Sequence, residues 1–166
     1  ANAAAECNAG TVPRRIARLP DSDGMANEIV VHRAHRINYD QMLRVGGGRL
    51  VEIGTLAETA PGDLEQAITE RTAAVFYVDS PQTTSGALDF ATVVALAHAR
   101  GVPIIVDAAS TLPPIDHLRQ WGRWGADLVI FSGGKGLRGP QDSGLLAGRA
   151  DLIAAARANG SPHASV

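Results

Sequence analysis

The chain has 166 residues, of which 45% are hydrophobic and 19% are charged, and its formal net charge is −2. This composition is typical of a globular domain with enough chain for a core, and it lacks the basic excess of proteins that bind nucleic acid by charge. The single cysteine, Cys7, excludes an internal disulfide framework and a cysteine-cluster metal site, so we expect no metal. No apolar run approaches the roughly 20 residues that span a bilayer, and no signal-peptide pattern opens the chain. The expected compartment is therefore the cytoplasm.

Short apolar runs rich in Val and Ile alternate along the chain with longer helical patterns. The runs predict strands at 28–32, 49–54, 73–78, 103–107, 127–132 and 143–148. The helical patterns predict helices at 39–47, 62–70, 88–101, 115–124 and 151–160. This alternation indicates an α/β fold, with a mostly parallel central sheet and helices on both faces. The last two strands are only ten residues apart, which leaves no room for a helix, so residues 133–142 form either a hairpin or a functional loop.

Lys135 and Asp107 are the two side chains most suggestive of chemistry. Lys135 follows a predicted strand in the Gly-rich loop "FSGGKGLRGP" (131–140), and Asp107 closes the strand "PIIVD". Parallel strands place their carboxyl ends at one edge of the sheet, where ligands bind, so we expect these residues to meet there. Taken singly, a lysine in such a loop is usually a solvated turn residue, and an aspartate ending a strand is often a helix cap.

Three functional interpretations of this loop compete. "GKGLRG" (134–139) matches the dinucleotide pattern G-x-G-x-x-G, as in a nicotinamide dehydrogenase, but Pro140 and the following strand leave no space for the helix that the pattern requires. The full phosphate-loop pattern is absent, because Gly136 follows the lysine. In the third interpretation, Lys135 forms a Schiff base with pyridoxal phosphate, and Asp107 keeps the pyridine nitrogen protonated.

Two long stretches carry a resemblance to a known family. The segment "GVPIIVDAASTLPP" (101–114), followed by "WGADLVIFSGGKGLRGPQDSGLLAGRADLI" (124–153), resembles fold type I pyridoxal-phosphate enzymes. Within them it is most similar to the group of selenocysteine synthase (L-seryl-tRNA selenium transferase) and D-glucosaminate-6-phosphate ammonia-lyase. The upstream stretch "LPDSDGMANEIVVHRAHRINYDQMLRVGGGRLVEIG" (19–54) resembles the same group. The resemblance covers nearly the whole chain, and it is more specific for the cofactor than for the substrate.

The resemblance implies a role for several residues around the cofactor. Lys135 would carry the Schiff base and move the substrate α-proton, while Asp107 would pair with the pyridine nitrogen. Ala109 would lie against one face of the ring. His35 would stack on the other face, with His32 as the rival candidate.

Further residues would hold the phosphate and the substrate. Ser132 matches the family's Ser-x-x-Lys spacing and would bind the cofactor phosphate; otherwise it is a strand-end hydroxyl bonded to backbone. Arg138, Arg36 and Arg33 are candidates for a substrate carboxylate or phosphate, because guanidinium groups bind both in a bidentate manner. The loop "SPQTTSG" (80–86) is either a plain turn or a contact to cofactor or substrate.

The resemblance also implies an organisation and a function. Residues 1–166 would be the central part of the large cofactor domain, with the phosphate-binding loop before "ANAAAEC" and a smaller domain after "SPHASV". The function would be α,β-elimination or β-replacement on an amino acid or a phosphorylated amino sugar acid, by a homo-oligomer. The net charge argues mildly against a tRNA partner. The alternative is a non-catalytic α/β binding domain without a cofactor.

Overall fold

A six-stranded sheet forms the centre of the part of the chain that the structure describes. The structure is a computed structural model that describes residues 7–80, 83 and 85–160. The strands are β1 (Glu28–His32), β2 (Arg49–Ile53), β3 (Thr72–Val78), β4 (Ile104–Asp107), β5 (Leu128–Ser132) and β6 (Gly144–Gly148). All six strands predicted from the sequence are confirmed, with bounds that differ by no more than one residue at either end.

The strands are ordered β2-β1-β3-β4-β5-β6. The first five are parallel, and β6 runs antiparallel to β5, with Ser132 opposite Gly144. Residues 133–142 therefore connect β5 and β6 as a hairpin, which was one of the two possibilities that the sequence left open. The central strands are almost fully buried and the edge strands β2 and β6 are largely exposed, which explains why the central strands read as continuous apolar runs.

Helices cover both faces of the sheet, as predicted. They are α1 (Pro13–Ile16), α2 (Gln41–Val45), α3 (Pro61–Ala67), α4 (Phe90–Ala99), α5 (His117–Arg123) and α6 (Ala150–Ala158), with short 3-10 turns at Arg33–His35 and Asn38–Asp40. Leu64, Val93 and Trp121 bring α3, α4 and α5 into the core on one face. Leu43 of α2 and Leu152 of α6 pack on the opposite face.

The predicted helix boundaries shift where local caps decide them. The helix expected at 88–101 begins at Phe90, because the side chain of Asp89 accepts a hydrogen bond from Thr92 N–H at 2.9 Å and caps the first turn. It ends before Gly101, whose φ of +68° suits a glycine. Residues 39–47 divide into the second 3-10 turn and the short helix α2, which stops at the glycines 46–48.

Candidate active site

The strand order changes direction at β1, because the chain leaves β1 for β2 on one side and returns to β3 on the other. Ligands of open α/β sheets bind beyond the carboxyl ends of the strands at such a point. A cleft of about 840 Å³ lies there, with walls formed by residues at or just after the ends of β3, β4 and β5. This volume lies within the range of about 300–1,000 Å³ that is usual for small-molecule sites.

Lys135 lies on the wall of this cleft and is the only lysine in the chain. Its Nζ donates a hydrogen bond to Ser110 Oγ at 2.9 Å. Ser110 follows the end of β4, so this contact links the loop after β5 to the neighbouring strand. The amine is thus directed toward the edge of the sheet where Asp107 lies.

The glycines around Lys135 let the loop fold tightly against its neighbours. Gly133 N–H donates to Ser143 O at 2.8 Å, which closes the base of the loop. A Cβ on Gly133 would lie 2.0 Å from Ser143 Oγ, and one on Gly136 would lie 2.4 Å from Leu112 O. Because a real Cβ does not approach other atoms so closely, side chains at these positions would push the loop away from the cleft.

Asp107 is the last residue of β4 and reaches the same cleft as Lys135. Its Oδ1 accepts a hydrogen bond from Ala109 N–H at 3.0 Å, and no other hydrogen bond to its carboxyl group is found within the described residues. Burial raises the pKa of Asp107, while Ala109 N–H and the positive charge of Lys135 act to lower it. The carboxyl group therefore keeps one oxygen available to a donor in the cleft.

Ala109 and Ser132 also line this part of the cleft wall. Ala109 offers only a methyl group, so it leaves room beside Asp107. Ser132 ends β5, three residues before Lys135. The cleft thus brings together a lysine amine, a partly buried carboxylate, a serine hydroxyl and a small residue.

His35 does not line the cleft, in contrast to the expectation that it would face the cofactor ring. Its side chain is only 1% exposed, its Nδ1 accepts a hydrogen bond from Val78 N–H at 3.3 Å, and its ring centroid lies 4.5 Å from that of Tyr77. The 3-10 turn directs the imidazole back into the core, where the Val78 donor and the Tyr77 ring hold it.

His32, the rival candidate, is fully buried and does not line the cleft either. Neither of its ring nitrogens has a hydrogen-bond partner in the described part of the chain. Burial lowers the pKa of His32 to about 4. It also lowers the pKa of His35 to about 4, with a smaller contribution from the charge of His32, so both rings are neutral at pH 7.

The three candidate arginines are placed differently. Arg36 lines the cleft, but its guanidinium binds Asp40 and also Glu52 at 2.7 Å, and these partners raise its pKa. Arg33 also lines the cleft and is exposed, with no ion pair in the segments that the structure covers. Arg138 is exposed in the loop after β5, with a φ of +54°, and is not part of the cleft wall.

Several polar cleft residues, among them Asp79 and Ser110, were not singled out by the sequence analysis. Asp79 directly follows β3, and Ser110 lies three residues after Asp107. The position just beyond a strand end, which drew attention to Asp107, would also have indicated Asp79. In the loop at 80–86, Ser80 and Thr83 line the cleft, whereas residues 81, 82 and 84 lie outside the described residues.

The described ranges contain neither a metal-binding cluster nor a helix that could span a membrane. No cluster of three or more His, Cys, Asp or Glu side chains there is arranged to hold a metal ion. None of the helices there has the length and apolar character that a membrane crossing requires.

Comparison with known proteins identifies the family. The sequence profile of the L-seryl-tRNA selenium transferase family matches residues 27–162. The chain belongs to this family. The resemblance seen in the sequence is therefore confirmed.

Individual relatives extend this family assignment. The chain is 44% identical over 163 residues to a 5'-C-glycyluridine monooxygenase-decarboxylase of a Streptomyces species, covering 94% of this chain and 40% of that protein. It is 43% identical over 149 residues to the D-glucosaminate-6-phosphate ammonia lyase of Salmonella typhimurium, covering 87% of this chain and 39% of that protein. The chain thus spans about two fifths of the length of these relatives.

A solved structure has the same architecture. The structure of a D-glucosaminate-6-phosphate ammonia-lyase superposes with a TM-score of 0.88 at 40% identity, covering 95% of this chain and 43% of that one. The predicted fold class is confirmed by this match and by the observed sheet. The placement of the chain within a larger cofactor domain stays a prediction.

Proposed function

We propose that this chain is the cofactor-binding part of a pyridoxal-phosphate-dependent lyase or transferase that performs α,β-elimination or β-replacement on an amino acid. The observation that carries the proposal is the meeting of Lys135 and Asp107 in one cleft at the carboxyl edge of a parallel sheet. Membership of a family of such enzymes supports it. The reaction and substrate of the whole protein extend beyond these residues and are part of the proposal.

The donor set of the cleft fits this cofactor. Asp107 has a carboxyl oxygen with no hydrogen bond from the described residues, and a protonated pyridine nitrogen is the donor that it suits. Ala109 leaves space for one face of the ring, and Ser132 offers a hydroxyl for the phosphate. Lys135 is held by Ser110 on the same wall. His35 is not assigned to the ring, because its imidazole packs in the core.

When bound, pyridoxal phosphate supplies a protonated ring that takes up the electron pair left by a departing α-proton. Lys135 is the attachment point for the cofactor and the base that receives this proton. Asp107 orients the ring and holds the pyridine proton in place. The hydrogen bond from Lys135 Nζ to Ser110 Oγ holds the amine on the wall of the cleft.

Among the arginines, we propose Arg33 for a carboxylate or phosphate of the substrate. It lines the cleft without an ion-pair partner in the described residues, whereas Arg36 is occupied by Asp40 and Glu52. Arg33→Gln should therefore raise KM for an acidic substrate with little change in thermal stability. Arg36→Gln should lower stability, because it removes two ion pairs. Equal effects of the two substitutions on KM would contradict this division.

We further propose a homo-oligomer that works in the cytoplasm on a small molecule. Exposed apolar side chains at the rim of the cleft, Tyr39, Met42 and Leu56, support a covering second copy. The formal net charge of −2 favours an amino acid or a phosphorylated amino sugar acid over a tRNA substrate. Light scattering of the full-length protein tests the oligomer, and a single-subunit mass would contradict it.

The test of the main proposal uses the full-length protein with added pyridoxal phosphate. We expect visible absorbance and, after borohydride reduction, a covalent adduct that peptide mapping locates at Lys135. Lys135→Arg keeps the positive charge but should lose the adduct. The double variant Lys135→Arg with Arg138→Lys places an amine in the same loop outside the cleft, and it should also form none. A folded wild-type protein without an adduct at Lys135 would favour the non-catalytic binding domain instead.

A further inference from the structure

Asp79 is a second carboxyl group in the cleft, and it is the first residue after β3. Its backbone N–H donates to Asp107 O at 2.9 Å, so the ends of β3 and β4 are joined at this point. Lys135 follows β5, on the other side of β4. One cleft therefore contains two carboxyl groups and one amine, which lie at or just after the ends of three neighbouring strands.

The pKa of Asp79 lies above the ordinary value of an aspartate. The side chain is partly buried, and this burial raises its pKa. The only charge that acts in the opposite direction is that of His117, at the start of α5. Tyr77 lies on the strand that precedes Asp79, and burial, followed by the charge of Asp79, raises the pKa of Tyr77. The other titratable side chains on the cleft wall are Arg33, Arg36, Tyr39, Asp107 and Lys135. No described residue donates a hydrogen bond to its carboxyl oxygens or forms an ion pair with it.

We propose that Asp79 donates the proton to the group that leaves the β-carbon of the substrate. This inference rests on the proposed function. It assigns the proton transfer to the leaving group, in which neither Lys135 nor Asp107 takes part. Lys135 takes the α-proton, the bond between the β-carbon and its oxygen breaks, and the electron pair leaves with the oxygen. The Asp79 proton then completes water or an alcohol, and solvent restores the proton to the carboxylate.

The chemistry of the leaving group explains why such an acid is needed. Hydroxide is a poor leaving group, so its departure requires a proton in the transition state, and a positioned acid contributes about 10²–10⁴-fold to such a step. Chloride departs without a proton. The proposal therefore predicts that Asp79 matters for β-hydroxy amino acids and not for β-chloro amino acids.

The experiment compares Asp79→Asn with wild-type full-length protein loaded with pyridoxal phosphate. The probes are β-chloroalanine and a series of β-hydroxy amino acids that begins with serine. We expect Asp79→Asn to lower elimination from the β-hydroxy substrates by about 10²–10⁴-fold, with β-chloroalanine changed less than about threefold. Asp142→Asn, an exposed aspartate in the nearby loop outside the cleft wall, is the matched control and should match wild type on both probes.

A second readout requires no turnover. Because the pKa of Asp79 is raised in the folded state, ionisation of this group destabilises the fold as pH rises through that pKa. Apo Asp79→Asn should therefore melt at a higher temperature than wild type at pH 7, and this gain should vanish near pH 3. No pH-dependent gain would mean that Asp79 is not in the environment that the proposal requires, and the proposal would fail.

The remaining outcomes separate this proposal from the one on which it rests. Equal losses on both probes, no loss on either, or a wild-type enzyme that removes chloride but never hydroxyl would each overturn the role of Asp79. The borohydride adduct at Lys135 should be unchanged in Asp79→Asn. If that adduct is absent from the wild type, the cofactor proposal has failed, and the role of Asp79 fails with it.

Discussion

The carboxyl groups at the two ends of the strands differ in the partners that the described residues give them. At the amino ends of the strands, Glu28 and Asp127 are each only 6% exposed. Glu28 binds Arg49 and also Arg71 at 3.0 Å. Glu28 thus has two cationic partners, which is what a stable buried charge requires.

Asp127 is bound just as fully. It accepts from Ile104 N–H at 2.8 Å, contacts His98 at 2.9 Å and pairs with Arg149 at 3.0 Å. These contacts connect the amino ends of β4 and β5 to the helices α4 and α6. The hydrogen bonds and ion pairs of these carboxylates therefore stabilise this edge of the sheet.

At the carboxyl ends, Asp79 and Asp107 lie in the cleft with raised pKa values, and neither forms an ion pair with any residue that the structure describes. Under-compensated carboxylates in a cleft are characteristic of functional sites, because the missing partner is supplied by a ligand. The comparison indicates that one edge stabilises the fold and the other edge is kept available for chemistry. The two edges should therefore respond differently to substitution.

The largest expected effect concerns Asp107. Asp107→Asn should lower the activity of the full-length, cofactor-loaded protein by about 100-fold or more, because the neutral amide no longer stabilises the pyridine proton. Thermal stability should stay the same or rise, since the desolvation cost of a buried charge is removed. Asp116→Asn, an exposed aspartate before α5, is the control and should leave turnover unchanged. Full activity of Asp107→Asn would remove Asp107 from the functional edge.

The next largest effect should be a loss of stability at acidic pH, caused by the buried histidines near the carboxyl ends of the strands. His32 and His35 have a pKa of about 4 in the folded protein, against 6.5 for the free side chain. Between these values the unfolded chain binds more protons, so the free energy of unfolding should fall as pH drops from 6.5 to 4, by about 3 kcal/mol for each histidine. Denaturant titrations across this range measure the slope.

Two variants locate the origin of this pH dependence. His32→Leu removes one buried imidazole, which has no hydrogen-bond partner among the described residues, so the slope should fall by about half. His98→Gln changes a histidine at the opposite edge whose side chain is 42% exposed, and it should leave the slope in place. If the dependence of the free energy of unfolding on pH disappeared in His98→Gln, the effect would originate at the amino edge, and this prediction would be wrong.

The smallest expected effect tests the amino edge. Asp127→Ala leaves the buried Ile104 N–H without its acceptor and removes the ion pair with Arg149 and the contact with His98, which should lower the free energy of unfolding by about 2–3 kcal/mol. Activity for each folded molecule should not change. Asp151→Ala is the matched control, because Asp151 pairs with the same Arg149 on the exposed surface, and it should have little effect on stability. Lost activity in folded Asp127→Ala would contradict the division between the two edges.

Much of this arrangement could be predicted from the sequence, for identifiable reasons. The central strands are buried on both faces, so their Val- and Ile-rich runs stand out, and parallel pairing then places Asp107 and Lys135 at one edge. The direction of His35 could not be predicted, because it depends on a donor at Val78, 43 residues away in the chain. The pairing of Arg36 with Glu52 is likewise a tertiary contact that residue spacing does not encode.

The composition of the basic residues has a consequence for chemical modification. Of the 15 lysine and arginine residues, Lys135 is the only lysine, so this stretch of chain carries its other positive side chains as guanidinium groups. Arginine does not lose its proton and is a poor target for acylating reagents. Acetylation or any amine-directed label would therefore find a single side-chain target in these 166 residues. The extent of labelling would report how accessible the Lys135 amine is.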